Sequence, residues 1–115
     1  MPEPIDREAL WDELNGPNPP VLIEALGAAY YADAHLPGAL NLPPAHLGRL
    51  AAALLPDLEA RIVVYGSGSG DSGHIVARRL ELLGYAQVLL YRGGKEEWAE
   101  HGLPIERPAM PVDGA

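Results

Sequence analysis

Arg61-Ile-Val-Val-Tyr-Gly-Ser-Gly-Ser-Gly-Asp-Ser-Gly-His74 is the stretch that decides the fold. Ile62 to Tyr65 form an apolar, β-prone run of buried-strand length. Glycines at 66, 68, 70 and 73 make the following segment a loop. Ile75, Val76, Arg79, Leu80 and Leu83 then recur at helical spacing, and Gly84 stops the pattern. Strand, glycine loop and helix in this order build anion sites in α/β proteins. Glycine lets the backbone turn sharply, so that N–H groups converge near the positive end of a helix. The loop is suited to hold a ligand or a reacting group, and it contains no obvious reacting group.

The same alternation extends in both directions. An edge strand is expected around Ile5, kept short by Pro2 and Pro4. Asp6 is a good N-cap for a helix running to about Leu14, with Leu10, Trp11 and Leu14 on one stripe. Asn15 to Pro20 is a loop, and Val21 to Glu24 is the next strand. Gly27 to Ala34 reads as a short helical piece. His35-Leu-Pro-Gly38 is a turn, because proline presets one turn dihedral and glycine supplies the unusual one. Ala39 to Leu42 is a short strand, and Ala45 to Leu55 a helix ended by Pro56. Beyond the central stretch, Gln87 to Leu90 is a strand, Gly93-Gly94 a turn, and Lys95 to His101 a last helix. Short apolar strands alternating with helices predict a mostly parallel sheet covered on both faces. Ligands on such sheets bind beyond the carboxyl ends of the strands, where the glycine loop lies.

Length predicts one domain over residues 1–106, followed by a flexible Pro/Gly/Ala tail over 107–115. The formal net charge is −8. That balance argues against nucleic acid and anionic membranes as partners, since both need basic patches. The chain has 0 Cys, which excludes disulfides, thiolate catalysis and Cys-ligated metal. No basic-led apolar stretch opens the chain and no run is long enough to span a bilayer, so a cytoplasmic location is expected by default. No His pair sits at metal-binding spacing, and neither a metal nor another cofactor is expected.

Several motifs are present only in part. Gly68-x-Gly70-x-x-Gly73 matches a dinucleotide fingerprint formally, but it sits past mid-chain, and Leu90, Tyr91 and Arg92 offer no acid for a ribose. The phosphate-loop pattern needs Lys after Gly73, where His74 stands. No loop serine has glycine two residues away on both sides, as a hydrolase elbow requires. Ser67, Ser69 and Ser72 are nucleophiles only if a base activates them. The simpler reading makes Ser67 and Ser69 turn residues and Ser72 a helix N-cap. His74 then reads as an exposed first-turn residue, and His35 as a turn-stabilising one. Asp71 has two readings. It either caps the helix, where a carboxylate suits the positive end, or occupies the cradle and repels anions.

With these residues in view, the chain resembles a rhodanese-like domain. Val21-Leu-Ile-Glu24 followed by His35-Leu-Pro-Gly-Ala-Leu-Asn-Leu-Pro43 is similar to the family's strand and its H-I-P-G-A-x-N-I-P turn. Ile62-Val-Val-Tyr65 is similar to the strand that enters the active-site loop. Gly93-Gly-Lys-Glu-Glu-Trp98 with Gly102-Leu-Pro104 is similar to the closing G-G-x-x-x-W and G-L-P. The likeness spans roughly residues 4–106. It implies an α/β fold with a central parallel sheet of about five strands and helices on both faces.

The resemblance also implies a chemistry that this chain departs from. The family carries sulfane sulfur as a persulfide on a Cys directly after the V-V-Y strand, held by loop N–H groups, and an Arg-Ser pair commonly ends the loop. Here the Cys position is Gly66 and the Arg position falls on or beside Asp71, with Ser72 kept. The family's L-I-D-x-R acid corresponds to Glu24, and its Arg to Leu26. The expected function is therefore a catalytically silent binding module that takes a small ligand or a protein partner at an anion-binding loop. That loop comprises Gly66, Ser67, Gly68, Ser69, Gly70, Asp71 and Ser72. The competing expectation is an enzyme, either sulfurtransferase-related or hydrolytic, using loop Ser, Asp71 or a partner's thiol. A scaffold kept for oligomerisation is a third reading, and the oligomeric state stays open.

Overall fold

The computed structural model describes residues 2–107. Its parallel sheet has five strands, β1 (Glu3–Pro4), β2 (Val21–Glu24), β3 (Leu40–Asn41), β4 (Arg61–Tyr65) and β5 (Gln87–Tyr91), in the order β1-β5-β4-β2-β3. The helices are α1 (Arg7–Leu14), α2 (Ala28–Asp33), α3 (Leu47–Leu54), α4 (Ser72–Leu82) and α5 (Gly94–Glu100). The central strand explains why both faces are covered. Successive strand side chains point to opposite faces, so an all-apolar strand needs a core on each side. Ile62 and Val64 enter one core with Leu47, Ala51, Val76 and Leu80 from α3 and α4. Val63 and Tyr65 enter the other with Leu10 of α1 and Trp98 of α5.

Register sets the floor of the site. Glu24 pairs with Tyr65, and Tyr65 with Tyr91, so these carboxyl-terminal residues lie side by side. Just beyond them come the glycine loop after β4 and the Gly93-Gly94 turn after β5. The edge strand is shorter than Ile5 alone would suggest, but Ile5 N–H still donates to Leu90 O at 3.1 Å. Asp6 caps α1 as expected, accepting from Ala9 N–H at 2.8 Å. Trp98 is fully buried, donates from Nε1 to Pro104 O at 2.8 Å, and meets Trp11 and Tyr91 edge to face.

Some local expectations change. The helix expected over 45–55 divides into a 3-10 turn, Pro44–His46, and α3. Pro44 starts the turn without needing an N–H donor, and the tighter geometry persists until Leu47 begins the α-helix. Leu83 is the C-cap of α4 and remains half exposed instead of continuing the buried stripe. Ser72 is the first helical residue and not the N-cap; Asp71 occupies that position. Glu106 forms an antiparallel bridge with His35, and Arg107 donates to Asp33 O at 3.2 Å. Of the tail expected over 107–115, residues 108–115 lie outside the described residues. Among the described residues no helix is long and apolar enough to cross a membrane.

Candidate ligand-binding loop

The loop is built on backbone-to-backbone contact. Gly68 has φ +90°, and a side chain there would run into the carbonyl of Gly93. Gly94 has φ +72°, and a side chain there would strike the backbone of Ser67 and Gly68. Both positions need glycine for conformation and for space. Lys95 N–H adds a hydrogen bond to Gly66 O at 2.9 Å, so the second residue of α5 fixes the first residue of the loop. Inside the loop, Gly70 N–H donates to Ser67 Oγ at 3.2 Å, and the Ser67 and Ser69 hydroxyls are 3.4 Å apart.

Gly66 is buried and follows directly on β4. A Cβ added there would lie 2.9 Å from Ser72 Oγ and 3.2 Å from Gly73 N. Ser72 has thus turned its hydroxyl into the space that a side chain at position 66 would occupy. This accounts for the change in its role, since a hydroxyl facing Gly66 is not capping α4. Asp71 holds the N-cap position through its backbone, with Ile75 N–H donating to Asp71 O at 3.0 Å. Its carboxylate accepts no helix N–H. Of its two sequence readings, the side-chain cap is therefore absent. The exposed carboxylate instead lines a cavity of about 320 Å³ together with Gly66, Gly68, Gly70 and His74. Tyr91 and Arg92 close the opposite side. Ser67, Ser69 and Ser72 do not line it. Among the described residues, no His or Lys hydrogen-bonds to Ser67, Ser69 or Asp71.

Beneath the loop lies a polar network that the sequence reading did not assemble. Glu24 is fully buried and accepts from Tyr65 OH at 2.8 Å and from Lys95 Nζ at 3.1 Å. Lys95 Nζ also donates to Tyr30 O at 2.8 Å and to Ala34 O. Tyr65 OH in turn accepts from Leu36 N–H at 3.0 Å. Burial, with the Glu24 charge added, pushes the Tyr65 phenol far above its ordinary range, so it stays a donor. The network ties β2, β4, the 30–36 segment and α5 together directly under the loop. Position 26, where the resemblance expects an Arg, is Leu, and the cation beside Glu24 comes from Lys95. The available sequence signal was an acid closing an apolar strand, because a buried carboxylate requires a partner.

His35 performs the structural role expected of it. Its ring stacks on Tyr31 with centroids 3.9 Å apart, and Nδ1 is 2.9 Å from Tyr31 O. A larger cavity of about 610 Å³ adjoins the loop cavity at Tyr91 and Arg92 and runs toward Ile5 and Arg7. Among the described residues, no cluster of three or more His, Cys, Asp or Glu could hold a metal ion.

Comparison with known proteins agrees with this arrangement. The rhodanese-like domain family matches residues 6–101, and the chain belongs to that family. It is 35% identical over 108 residues to a sulfurtransferase of Allochromatium vinosum, covering 94% of this chain and 98% of that protein. The thiosulfate sulfurtransferase structure from Pseudomonas aeruginosa is 32% identical with a TM-score of 0.70; the match covers 77% of this chain and spans 17% of that protein. The Alr3790 protein of Anabaena sp. superimposes with a TM-score of 0.79 at 25% identity, covering 92% of this chain and 94% of that one.

Proposed function

We propose that this protein is a rhodanese-like domain that carries no sulfur itself and uses its glycine loop to bind a small ligand or a segment of a protein partner. The observation that carries this reading is at Gly66. A persulfide needs a thiolate nucleophile, and the position that follows the V-V-Y strand has no side chain. The chain has 0 Cys elsewhere to substitute for it. Ser72 Oγ lies 2.9 Å from where a Cβ at position 66 would sit, so it takes up space that a side chain there would need. Ser67 and Ser69 bond within the loop, and among the described residues neither is hydrogen-bonded to a base that could activate it for hydrolysis.

The resemblance puts a cation on or beside position 71, at the helix end of the loop cavity, and this chain has Asp71 there. One unit charge at about 4 Å is worth around 4 kcal/mol at an effective dielectric of 20, and solvent around the exposed Asp71 reduces this. Native protein should therefore bind sulfate and thiosulfate poorly. Asp71→Arg should bind them at least about tenfold more tightly, a gain of about 1.4 kcal/mol. Titration calorimetry measures both affinities. Equal affinity in the two proteins would mean that the loop cavity is not where anions are sensed, and the binding reading would fail.

A further inference from the structure

Arg92 lines both adjoining cavities, and among the described residues each cavity also holds an acid without a partner, Glu8 in the larger one and Asp71 in the loop cavity. In the larger cavity Arg7 is 3.6 Å from Glu97, and Glu97 also accepts from Tyr91 OH at 2.7 Å. Asp6 is engaged as the cap of α1. In the loop cavity the charges are uncommitted. Asp71 lies on the loop side and Arg92 at the end of β5, both lining the same cavity of about 320 Å³. Among the described residues neither side chain has a hydrogen-bond or ion-pair partner, and they do not pair with each other.

We infer that the loop cavity selects a small zwitterion, a molecule of amino-acid size with an ammonium group at one end and a carboxylate or sulfonate at the other. This inference rests on the reading of the glycine loop as a ligand site. Arg92 supplies the cation for the anionic end, and Asp71 accepts the ammonium. A ligand of a single sign is attracted by one of these two charges and repelled by the other. An anion gains Arg92 and meets Asp71; an amine gains Asp71 and meets Arg92. Only a ligand carrying both charges gains at both ends. The cavity volume fits a molecule of this size, and its floor of glycines leaves the backbone open to close approach. The larger cavity opens on the far side of Tyr91 and Arg92, so a substituent on the ligand has room to extend toward Ile5.

The test is a titration of isotope-labelled full-length protein, followed by the amide resonances of residues 66–74 and 91–92. The probes are taurine as the zwitterion, with methanesulfonate and ethylammonium as its single-charge halves. Taurine should move these resonances with an apparent affinity at least tenfold above either half. Asp71→Asn should weaken taurine at least fivefold and leave methanesulfonate equal or tighter. Arg92→Gln should weaken taurine and methanesulfonate together. If methanesulfonate alone binds as tightly as taurine, the zwitterion inference fails while the loop remains a ligand site. If none of the probes moves the loop resonances, the ligand-site reading fails with it.

Discussion

In the proposed reading Gly66 stands at the family's Cys position and Asp71 on or beside its Arg position, and each can be changed separately. The backbone at Gly66 is not in the left-handed region, so an L residue is sterically possible once Ser72 rotates away and the Gly73 backbone, 3.2 Å from the added Cβ, gives slightly. Gly66→Cys should fold, and its thiol should be sluggish toward an alkylating reagent near pH 7, because a nearby carboxylate disfavours the thiolate. Gly66→Cys with Asp71→Arg should label faster by roughly threefold or more, since a cation favours the thiolate. Thiol-labelling rates decide it, and equal rates in the two variants would mean that Asp71 points away from position 66. A second ionic detail concerns acid stability. The bidentate hydrogen bonds from Arg61 hold the Glu13 carboxyl below its ordinary value of 4.5, against opposing desolvation. A depressed carboxyl contributes stability above its unfolded-state value and loses it as pH falls through the folded-state value. Both side chains are partly exposed, so Glu13→Gln should cost less than about 1 kcal/mol at neutral pH. The difference from native protein should close as acid protonates Glu13, which urea midpoints measured across the acid range would reveal.

At the scale of elements, α5 holds the loop in place. Its Lys95 contributes a backbone N–H to Gly66 O and a side chain to the buried Glu24. Removing one partner of a buried pair strands the other charge, so Lys95→Ala should cost about 3–5 kcal/mol. Glu24→Gln combined with Lys95→Met should recover a part of that loss, with a coupling above about 1 kcal/mol in the double-mutant cycle. Additive losses would show that the two groups are not energetically linked. Trp98 anchors the other end of the same helix, and Trp98→Ala should cost about 3–5 kcal/mol in chemical denaturation. A loss below about 1 kcal/mol would contradict its burial.

The elements were largely legible in the sequence because their signals are local. The run at 62–65, the glycines after it and the spacing of Val76 and Leu80 each lie within one strand, loop or helix. The Gly93-Gly94 turn was legible for the same reason, although which backbone it meets was not. The Glu24–Lys95 pair joins residues 71 positions apart, and no periodicity carries that information. Ser72 was misread as a cap because its alternative, filling the space beside Gly66, depends on a gap visible only in three dimensions. Arg92 was noticed only for lacking an acid beside it; its position opposite Asp71 follows from the order β5-β4 in the sheet.

In the whole molecule, scaffold and chemistry are separate. A parallel sheet with a core on each face, the turn at 35–38 and the closing helix with Trp98 are all retained in a member of the rhodanese-like family. The chain has no Cys to serve as a persulfide-forming nucleophile. The central claim is that the loop has been kept for binding after the loss of sulfur transfer. The most direct measurement is thiosulfate:cyanide sulfurtransfer by clean, full-length protein, read as thiocyanate formed over time. The account predicts no turnover above the uncatalysed background. Sustained turnover proportional to the concentration of this Cys-free protein would contradict it.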